Sequence, residues 1–247
     1  MARLLFLLLI PLQITGLSLV AQAETLRVAV AANFRDTLLE LQPIFESESG
    51  DRLTISAGST GVLTNQITLG APFDILLAAD TERPAYLIAE GHALGDSLKT
   101  YALGRLALIT PHAVQIREDI RAQLLDAKRI AIANPKTAPY GAAALQVLDA
   151  MGVGEAIAPR LVLARNASGA LASLRSGAAE VGFVALSALH DQEDPHWLVP
   201  ADMHAPLRQQ AVILNRAGQS QGAKRLMAFL TSEPARDIIA AHGYGLE

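Results

Sequence analysis

Four short turns hold the residues of this chain whose types and positions could bind a ligand. They are residues 31–33 (AAN), 57–61 (AGSTG), 134–141 (NPKTAPYG) and 165–169 (RNASG), and each lies between an apolar run and a segment with helical character. The first turn of a helix leaves about four backbone N–H groups without partners and carries roughly half a positive charge. Small residues let an anion approach these groups closely, so each turn could hold an oxyanion.

Helix capping is the alternative explanation for these turns. Asn33 is placed to cap the helix that follows it, Ser59 or Thr60 could cap the next helix, and Tyr140 could be a half-buried surface aromatic. No Lys follows the glycines around Ser59 and Thr60, which excludes a Walker phosphate loop. Four similar turns, with Ala167 in the fourth, are better explained by one shared anion than by four unrelated caps.

The turns also indicate which kind of anion they would hold. None of the four contains Asp or Glu. A divalent oxyanion without protons needs only hydrogen-bond donors, and these act more strongly in the lower dielectric that remains when water leaves. Phosphate at neutral pH still carries a proton and would favour a carboxylate acceptor. The turns therefore favour a fully deprotonated oxyanion.

The remaining sequence predicts an α/β fold that can position such turns. Apolar runs bounded by Gly, Pro and Asn predict strands at residues 26–32, 53–57, 74–79, 106–110, 129–134, 160–164, 181–186 and 211–215. Helical segments separate most of them, which is typical of parallel sheets covered on both faces. A helix over 35–48 should kink or break at Pro43, which has no backbone N–H, and a last helix is predicted over 222–243.

Two doubly wound lobes account for the turns better than one sheet does. Ligands of doubly wound sheets bind at the carboxyl ends of strands, and the turns occur in both halves of the sequence. We expect one lobe over residues 24–105 and 207–247, a second lobe over 106–206, and a ligand cleft between them.

The N-terminus has the pattern of a cleavable secretory signal peptide. An early positive charge is followed by an apolar block, and the small residues Ala21 and Ala23 stand where signal peptidase needs them. We expect residues 1–23 to be removed and the protein to be periplasmic, with Glu24 first in the mature chain. An uncleaved anchor is the alternative, but Pro11 interrupts the apolar stretch.

Composition excludes several other classes of protein. The chain has no Cys, so disulfides, thiol catalysis and lipid attachment through an N-terminal Cys are excluded. The formal charge of −4 becomes −5 when Arg3 leaves with the signal peptide, which makes nucleic acid and anionic membranes poor partners.

The segments AVAANF, AGSTG with QITLGAPFDILLAAD, NPKTAPYG, and ASGALASLRSGAAEVGFV, in this order, resemble the periplasmic molybdate-binding proteins of ABC transporters. The similarity runs over essentially the whole mature chain. It implies a type II periplasmic-binding fold, in which crossing strands join two lobes. It also implies an oxyanion, molybdate or tungstate, held by hydroxyls, a side-chain amide and main-chain N–H groups. Further implications are a monomer, no cofactor, and delivery to a permease in the inner membrane.

By motif position, the resemblance implies one set of ligand-binding residues: Ala32, Asn33, Ser59, Thr60, Tyr140 and Ala167. Molybdenum would enter as its oxyanion, held by Asn33, Ser59, Tyr140 and the N–H of Ala167. One position departs from the family pattern. Many relatives place a binding Tyr in the stretch that matches GFVALSAL, where this chain has Ala185. The phenol of Tyr140 would then take its place, as in a subgroup of the family.

Three other functions remain as alternatives. Ser59 could be the nucleophile of a hydrolase, although it lacks a GxSxG turn and no His has the sequence context of a catalytic base. A surface loop could bind a metal ion through His190, Asp191, Glu193, Asp194 and His196. Sulfate has the charge and shape of molybdate but is smaller, so only the cavity radius separates a sulfate carrier from a molybdate carrier.

Overall fold

The computed structural model describes residues 23–111, 114–189 and 195–247. These residues form ten strands: β1 (Thr25–Ala31), β2 (Arg52–Gly58), β3 (Ile75–Leu77), β4 (Lys99–Gly104), β5 (Leu106–Ile109), β6 (Ile130–Ala133), β7 (Leu161–Ala164), β8 (Val181–Ala185), β9 (His196–Leu198) and β10 (Leu207–Ile213). The described ranges also contain nine α-helices: α1 (Arg35–Ser49), α2 (Thr60–Thr68), α3 (Glu82–Ala89), α4 (Ile120–Asp126), α5 (Pro139–Ala150), α6 (Gly154–Ile157), α7 (Ala167–Arg175), α8 (Gln221–Phe229) and α9 (Glu233–Ala241).

The strands are divided between two five-stranded sheets, and each sheet with its helices is a lobe. The first sheet has the order β2-β1-β3-β10-β4 and the second has the order β7-β6-β8-β5-β9. The chain therefore passes from the first lobe to the second after β4 and returns before β10. This arrangement confirms the predicted α/β class with two doubly wound lobes.

Both sheets are mixed, which differs from the parallel sheets that the sequence predicts. β1 is parallel to β2 and β3, and β6 is parallel to β7 and β8. β10 is antiparallel to β3 and β4, and β5 is antiparallel to β8 and β9. The chain reaches β5 and β10 directly from the other lobe. Neither strand is preceded by a crossover helix packed on its own sheet, which would favour a parallel direction.

Alternating side chains of β1 show how helices cover the first sheet on both faces. Val28 and Val30 pack in a core with residues of α1, α8 and α9, whereas Ala29 packs on the opposite face against Leu63 of α2 and Leu87 of α3. A strand that is buried on both sides needs the continuous apolar run that predicted it.

Helix α1 runs without a break through Pro43, so the prediction that the helix breaks at this residue is wrong. The buried residues Leu38, Leu41 and Phe45 hold the helix against the sheet on both sides of the proline. Pro43 has no N–H to donate to the carbonyl of Leu39. Leu39 is 40% exposed, so water can donate to this carbonyl on the outer face of the helix.

Three further differences concern the ends of elements. The helix predicted over 222–243 is two helices, because Pro234 stands in the first turn of α9 and favours a new start there. The sequence did not predict β4 or β9 as strands. Residues 1–22, with most of the predicted signal peptide, lie outside the described residues. No helix in the described ranges is long and apolar enough to span a membrane.

Candidate functional site

A small cavity lies between the lobes and brings together all six residues that the sequence predicts for ligand binding. Its volume is ≈ 10 Å³, and it is lined by Ala31, Ala32, Asn33, Gly58, Ser59, Thr60, Ala79, Ala138, Pro139, Tyr140, Asn166 and Ala167. Pockets for drug-sized ligands hold roughly 300–1,000 Å³, so this cavity suits only a ligand of a few atoms. Larger pockets lie elsewhere on the first lobe, but the predicted residues line none of those described.

Among the described residues that line the cavity, Ser59 has a buried hydroxyl without a hydrogen-bond partner. Ser59 is 4% exposed, and its Oγ has no hydrogen-bond partner among the described residues. It does not cap α2, although it stands at the N-cap position. A buried hydroxyl without a partner costs about 1–3 kcal/mol, so a ligand oxygen at this point would remove that cost.

Thr60 contributes differently from the neighbouring serine. Its Oγ1 accepts a hydrogen bond from the backbone N–H of Ala79 at 3.1 Å, and its side chain is completely buried. The hydroxyl therefore fixes the turn after β2 against the turn after β3. The backbone N–H of Thr60, in the first turn of α2, is the group available to a ligand.

Asn33 does not cap a helix, so its predicted capping role is wrong. The short 3₁₀ turn Ala32–Phe34 and helix α1 both begin without a side-chain cap. Instead, Nδ2 of Asn33 donates to Oε1 of Gln209 at 3.0 Å and to Oη of Tyr244 at 3.1 Å. Both amide protons are engaged inside the protein, which leaves the backbone N–H of Asn33 for a ligand.

Tyr140 stands at the start of α5 and brings a phenol of the second lobe to the cavity. It is 3% exposed, and its Oη accepts a hydrogen bond from Nε2 of Gln209 at 3.1 Å. Burial raises the pKa of the Tyr140 phenol well above its usual range, so the hydroxyl keeps its proton. Ala185, where many relatives have a tyrosine, is fully buried at the end of β8 and does not line the cavity.

The turn before α7 completes the second-lobe side of the cavity. Asn166 caps this helix, since its Oδ1 accepts from the N–H of Gly169 at 2.9 Å. This cap engages the side chain of Asn166 and one of the free N–H groups of the first turn. The N–H of Ala167, whose side chain is 5% exposed, remains at the cavity wall.

None of the described residues that line the cavity is an Asp, Glu, Lys or Arg. Asp80, next to the lining residue Ala79, pairs with Arg83 at 2.9 Å. Burial raises the pKa of the Asp80 carboxyl, although hydrogen bonds and the charge of Arg83 oppose the rise. An anion in the cavity would thus be held by neutral donors and by the dipoles of helix starts.

Hydrogen bonds join the two lobes around the cavity. The N–H of Gly61 in α2 donates to the carbonyl of Thr137 in the second lobe at 2.9 Å. Ser168 and Ser187 of the second lobe donate to carbonyls of the first lobe, those of Ala32 and Asn33, at 3.2 and 3.0 Å. The lobes are therefore in direct contact around the cavity that lies between them.

Neither a hydrolase nor a metal site gains support from the geometry. Among the described residues, no base is within hydrogen-bonding distance of Ser59 Oγ, and no group of three or more His, Asp or Glu could hold a metal ion. Four residues of the loop considered for metal binding, His190, Asp191, Glu193 and Asp194, lie outside the described residues. His196 begins β9.

Gln209 is the residue of this region that sequence reasoning missed. It lies within LRQQAVI of β10, is 0% exposed, and contacts site residues of both lobes. The sequence predicts this strand only from residue 211 onward, so Gln209 stands outside it and gives no signal. Ser168 and Ser187, which join the lobes, have no distinguishing signal.

The fold and the small cavity between its lobes define a two-lobed binding protein for a small solute. The family model for bacterial extracellular solute-binding proteins matches residues 26–245, and the chain belongs to this family. Its members bind and carry solutes, a class without enzymatic activity.

Individual relatives are similar over nearly their whole length. The molybdate-binding protein ModA of Rhodobacter capsulatus is 38% identical over 235 residues, which cover 95% of this chain and 93% of the relative. ModA of Azotobacter vinelandii is 39% identical over 236 residues, or 94% of each chain. The solved structure of the periplasmic molybdate-binding protein of Azotobacter vinelandii superposes with a TM-score of 0.84 at 36% identity, covering 90% of this chain and 99% of that one.

Proposed function

We propose that this protein is the substrate-binding component of an ABC importer, which captures molybdate, and also tungstate, in the periplasm and delivers it to a permease in the inner membrane. Relatives of 38–39% identity that are named for molybdate binding support this proposal. The solved periplasmic molybdate-binding protein, with its TM-score of 0.84, supports it further.

The observation that carries the proposal is the buried hydroxyl of Ser59, which has no partner among the described residues and stands in a cavity whose described lining contains donors and no charged side chain. A dianion without protons satisfies every donor at once, whereas a protonated oxyanion would place its own O–H against other donors. The expected contacts come from both lobes: the N–H groups of Ala32, Asn33 and Thr60, Ser59 Oγ, Tyr140 Oη, and the N–H of Ala167.

Binding proceeds by closure of two lobes on the ion, and no bond is made or broken. We assign residues 24–105 and 207–247 to the first lobe and 106–206 to the second, which agrees with the strands of each sheet. The first lobe receives the anion, the second lobe completes the cage, and the closed pair of lobes is the surface that the permease recognises. A monomer without a cofactor suffices, because every donor belongs to this chain.

Export depends on the N-terminal signal peptide, with cleavage after Ala23. N-terminal sequencing of protein recovered from the periplasm checks this part of the proposal. The expected first residue is Glu24, and a retained N-terminus would contradict it.

Calorimetric titration of the purified mature protein tests the ligand assignment. Molybdate and tungstate should bind tightly with one ion per chain, and phosphate should not bind. Sulfate is the critical comparison, since it differs mainly in size. Tight binding of sulfate with weak binding of molybdate would overturn the assignment, and the absence of binding to all four anions would reject an oxyanion carrier altogether.

A further inference from the structure

A fully buried glutamine lies directly beneath the cavity, on the strand by which the chain returns to the first lobe. Gln209 is 0% exposed, and the pairing of β10 with β4 shifts register between Gln209 and Gln210. Such a bulge re-aims the side chains of a strand. The amide of Gln209 contacts Asn33 and Tyr101 of the first lobe and Tyr140 of the second.

The neighbours of Gln209 determine which way its amide points. Its Oε1 accepts from Nδ2 of Asn33 at 3.0 Å and from Oη of Tyr101 at 3.1 Å. The single proton of Tyr101 can also go to the carbonyl of Ala78 at 3.1 Å, so Asn33 decides the orientation. The Tyr244 hydroxyl donates to the backbone carbonyl of Asn33 at 2.8 Å, so its oxygen accepts from Nδ2 and fixes the Asn33 amide as a donor. The Gln209 atom that faces Asn33 is therefore the carbonyl oxygen, and the NH₂ group faces Tyr140. Nε2 then donates to Oη of Tyr140 at 3.1 Å.

This hydrogen bond leaves the Tyr140 hydroxyl with a single role. A phenol oxygen can accept one bond and donate another, and the acceptor side of Tyr140 is occupied by Gln209. No described residue accepts the Tyr140 proton, and the residue lines the cavity. Gly104 keeps space for this contact, because a Cβ there would stand 2.4 Å from Tyr140 Oη and 2.8 Å from Gln209 Nε2.

We propose that Gln209 is a positioning residue for ligand selectivity, which fixes the Tyr140 phenol as a donor toward the bound anion. The inference rests on the proposed function and deepens it. Gln209 does not touch the anion. It excludes the orientation in which Tyr140 would turn its proton away and offer a lone pair to a protonated oxyanion.

A double-mutant cycle tests whether Gln209 acts through the Tyr140 hydroxyl. The variants are Gln209→Met, Tyr140→Phe and the double variant, each titrated with molybdate by calorimetry. Each single change should raise the Kd about tenfold, equivalent to one hydrogen bond to a charged group. The double variant should bind no more than about twofold weaker than Tyr140→Phe, because the hydroxyl that Gln209 orients is already gone. Losses that multiply in the double variant would overturn the proposal.

Gln209→Glu supplies a second readout when it is measured with and without the Tyr140 hydroxyl, in Gln209→Glu and in Gln209→Glu/Tyr140→Phe. A carboxylate beneath the cavity also repels the dianion directly, so only the part of the pH dependence that needs the hydroxyl reports its orientation. An ionised carboxylate accepts the Tyr140 proton and reverses the phenol, whereas a protonated carboxyl can donate as the amide does. Burial raises the pKa of such a carboxyl, so molybdate affinity of Gln209→Glu should increase at least tenfold from pH 8 to pH 5, while the wild type changes little. The pH dependence should be smaller in Gln209→Glu/Tyr140→Phe than in Gln209→Glu, and equal pH dependence in the two variants would overturn the proposal.

Matched controls separate this inference from the proposed function. Gln210→Met alters the next glutamine of β10, whose Nε2 donates to Oγ1 of Thr100 at 3.4 Å away from the cavity, and it should leave affinity unchanged. Thermal unfolding checks that every variant is folded. Wild-type protein that binds no molybdate would overturn the proposed function together with this inference, whereas wild-type binding with multiplying losses would overturn the role of Gln209 alone.

Discussion

Replacing Ser59 by alanine should have opposite effects on ligand affinity and on the stability of the ligand-free protein. The Oγ of Ser59 is buried and has no partner among the described residues, so its removal breaks no hydrogen bond within the protein. It does remove one of the donors that we assign to the bound dianion.

The sizes of the expected changes in Kd and in the free energy of unfolding follow from the burial of Ser59 Oγ. A hydrogen bond to a charged group contributes about 1.5–3 kcal/mol, which predicts a Kd for molybdate about 10- to 150-fold higher in Ser59→Ala. A buried polar group without a partner costs about 1–3 kcal/mol, so the free energy of unfolding without ligand should rise slightly or stay unchanged.

Calorimetric titration and urea unfolding measure the two quantities on the same preparations. Ser56→Ala is the matched control, since it makes the same change three residues earlier in β2, at a half-buried position that does not line the cavity. It should alter neither quantity by a comparable amount. If Ser59→Ala binds molybdate as tightly as the wild type, Ser59 does not contact the anion; if it loses several kcal/mol of stability without ligand, the hydroxyl has a structural partner.

Three further changes test other parts of the structure. In Gly61→Ala the new Cβ would stand 3.1 Å from the backbone of Thr137 across the lobe contact, so molybdate affinity should fall about fivefold in calorimetry while thermal stability without ligand is kept, as expected for Ala in a helix. Asp51 forms an ion pair with Arg225, in which Oδ1 and Nη2 are 2.8 Å apart and the Arg225 side chain is 30% exposed. Asp51→Asn removes the charge of this pair and should lower the free energy of unfolding in urea at pH 7 by about 1–3 kcal/mol. Burial alone would raise the pKa of Asp51, but hydrogen bonds from Arg225 and from the N–H of Glu24 hold it below its ordinary value. Stability of the wild type should therefore be constant above about pH 5 and fall as the pH drops through that lowered pKa, with a shallower fall in Asp51→Asn; equal slopes would contradict this assignment.

The sequence predicts most of the fold because its buried strands carry an unmistakable pattern. β1 from Val28 onward and the whole of β6 are apolar and buried, since helices cover both of their faces, and small turns follow each of them. β4 escapes prediction because Lys99 and Thr100 interrupt its apolar pattern, and it forms only by pairing with β10, more than 100 residues later. The antiparallel direction of β5 and β10 could not be predicted either, because it depends on how the chain passes from one lobe to the other.

Some features of the candidate site can be predicted from neighbouring residues, and others depend on residues far away in the chain. Each helix start can be read from a few neighbouring residues, and the structure places the four predicted turns around one cavity. The ligand contacts themselves stay a prediction. The role of Asn33 could not be read locally, because its amide partners, Gln209 and Tyr244, are 176 and 211 residues away in the chain.

The walls of the cavity also bear on how its selectivity can change during evolution. Ala32, Thr60 and Ala167 are assigned to contact the anion through their backbone N–H groups. These groups remain when another small side chain replaces the present one. Only the hydroxyls of Ser59 and Tyr140 can be gained or lost by a single substitution. Saturation mutagenesis under limiting molybdate should accordingly find tolerance at the alanines, limited by space, and intolerance at the two hydroxyls. A lineage shifting toward another oxyanion would have to alter those two positions or the spacing of the lobes, while the peptide scaffold of the site stays as it is.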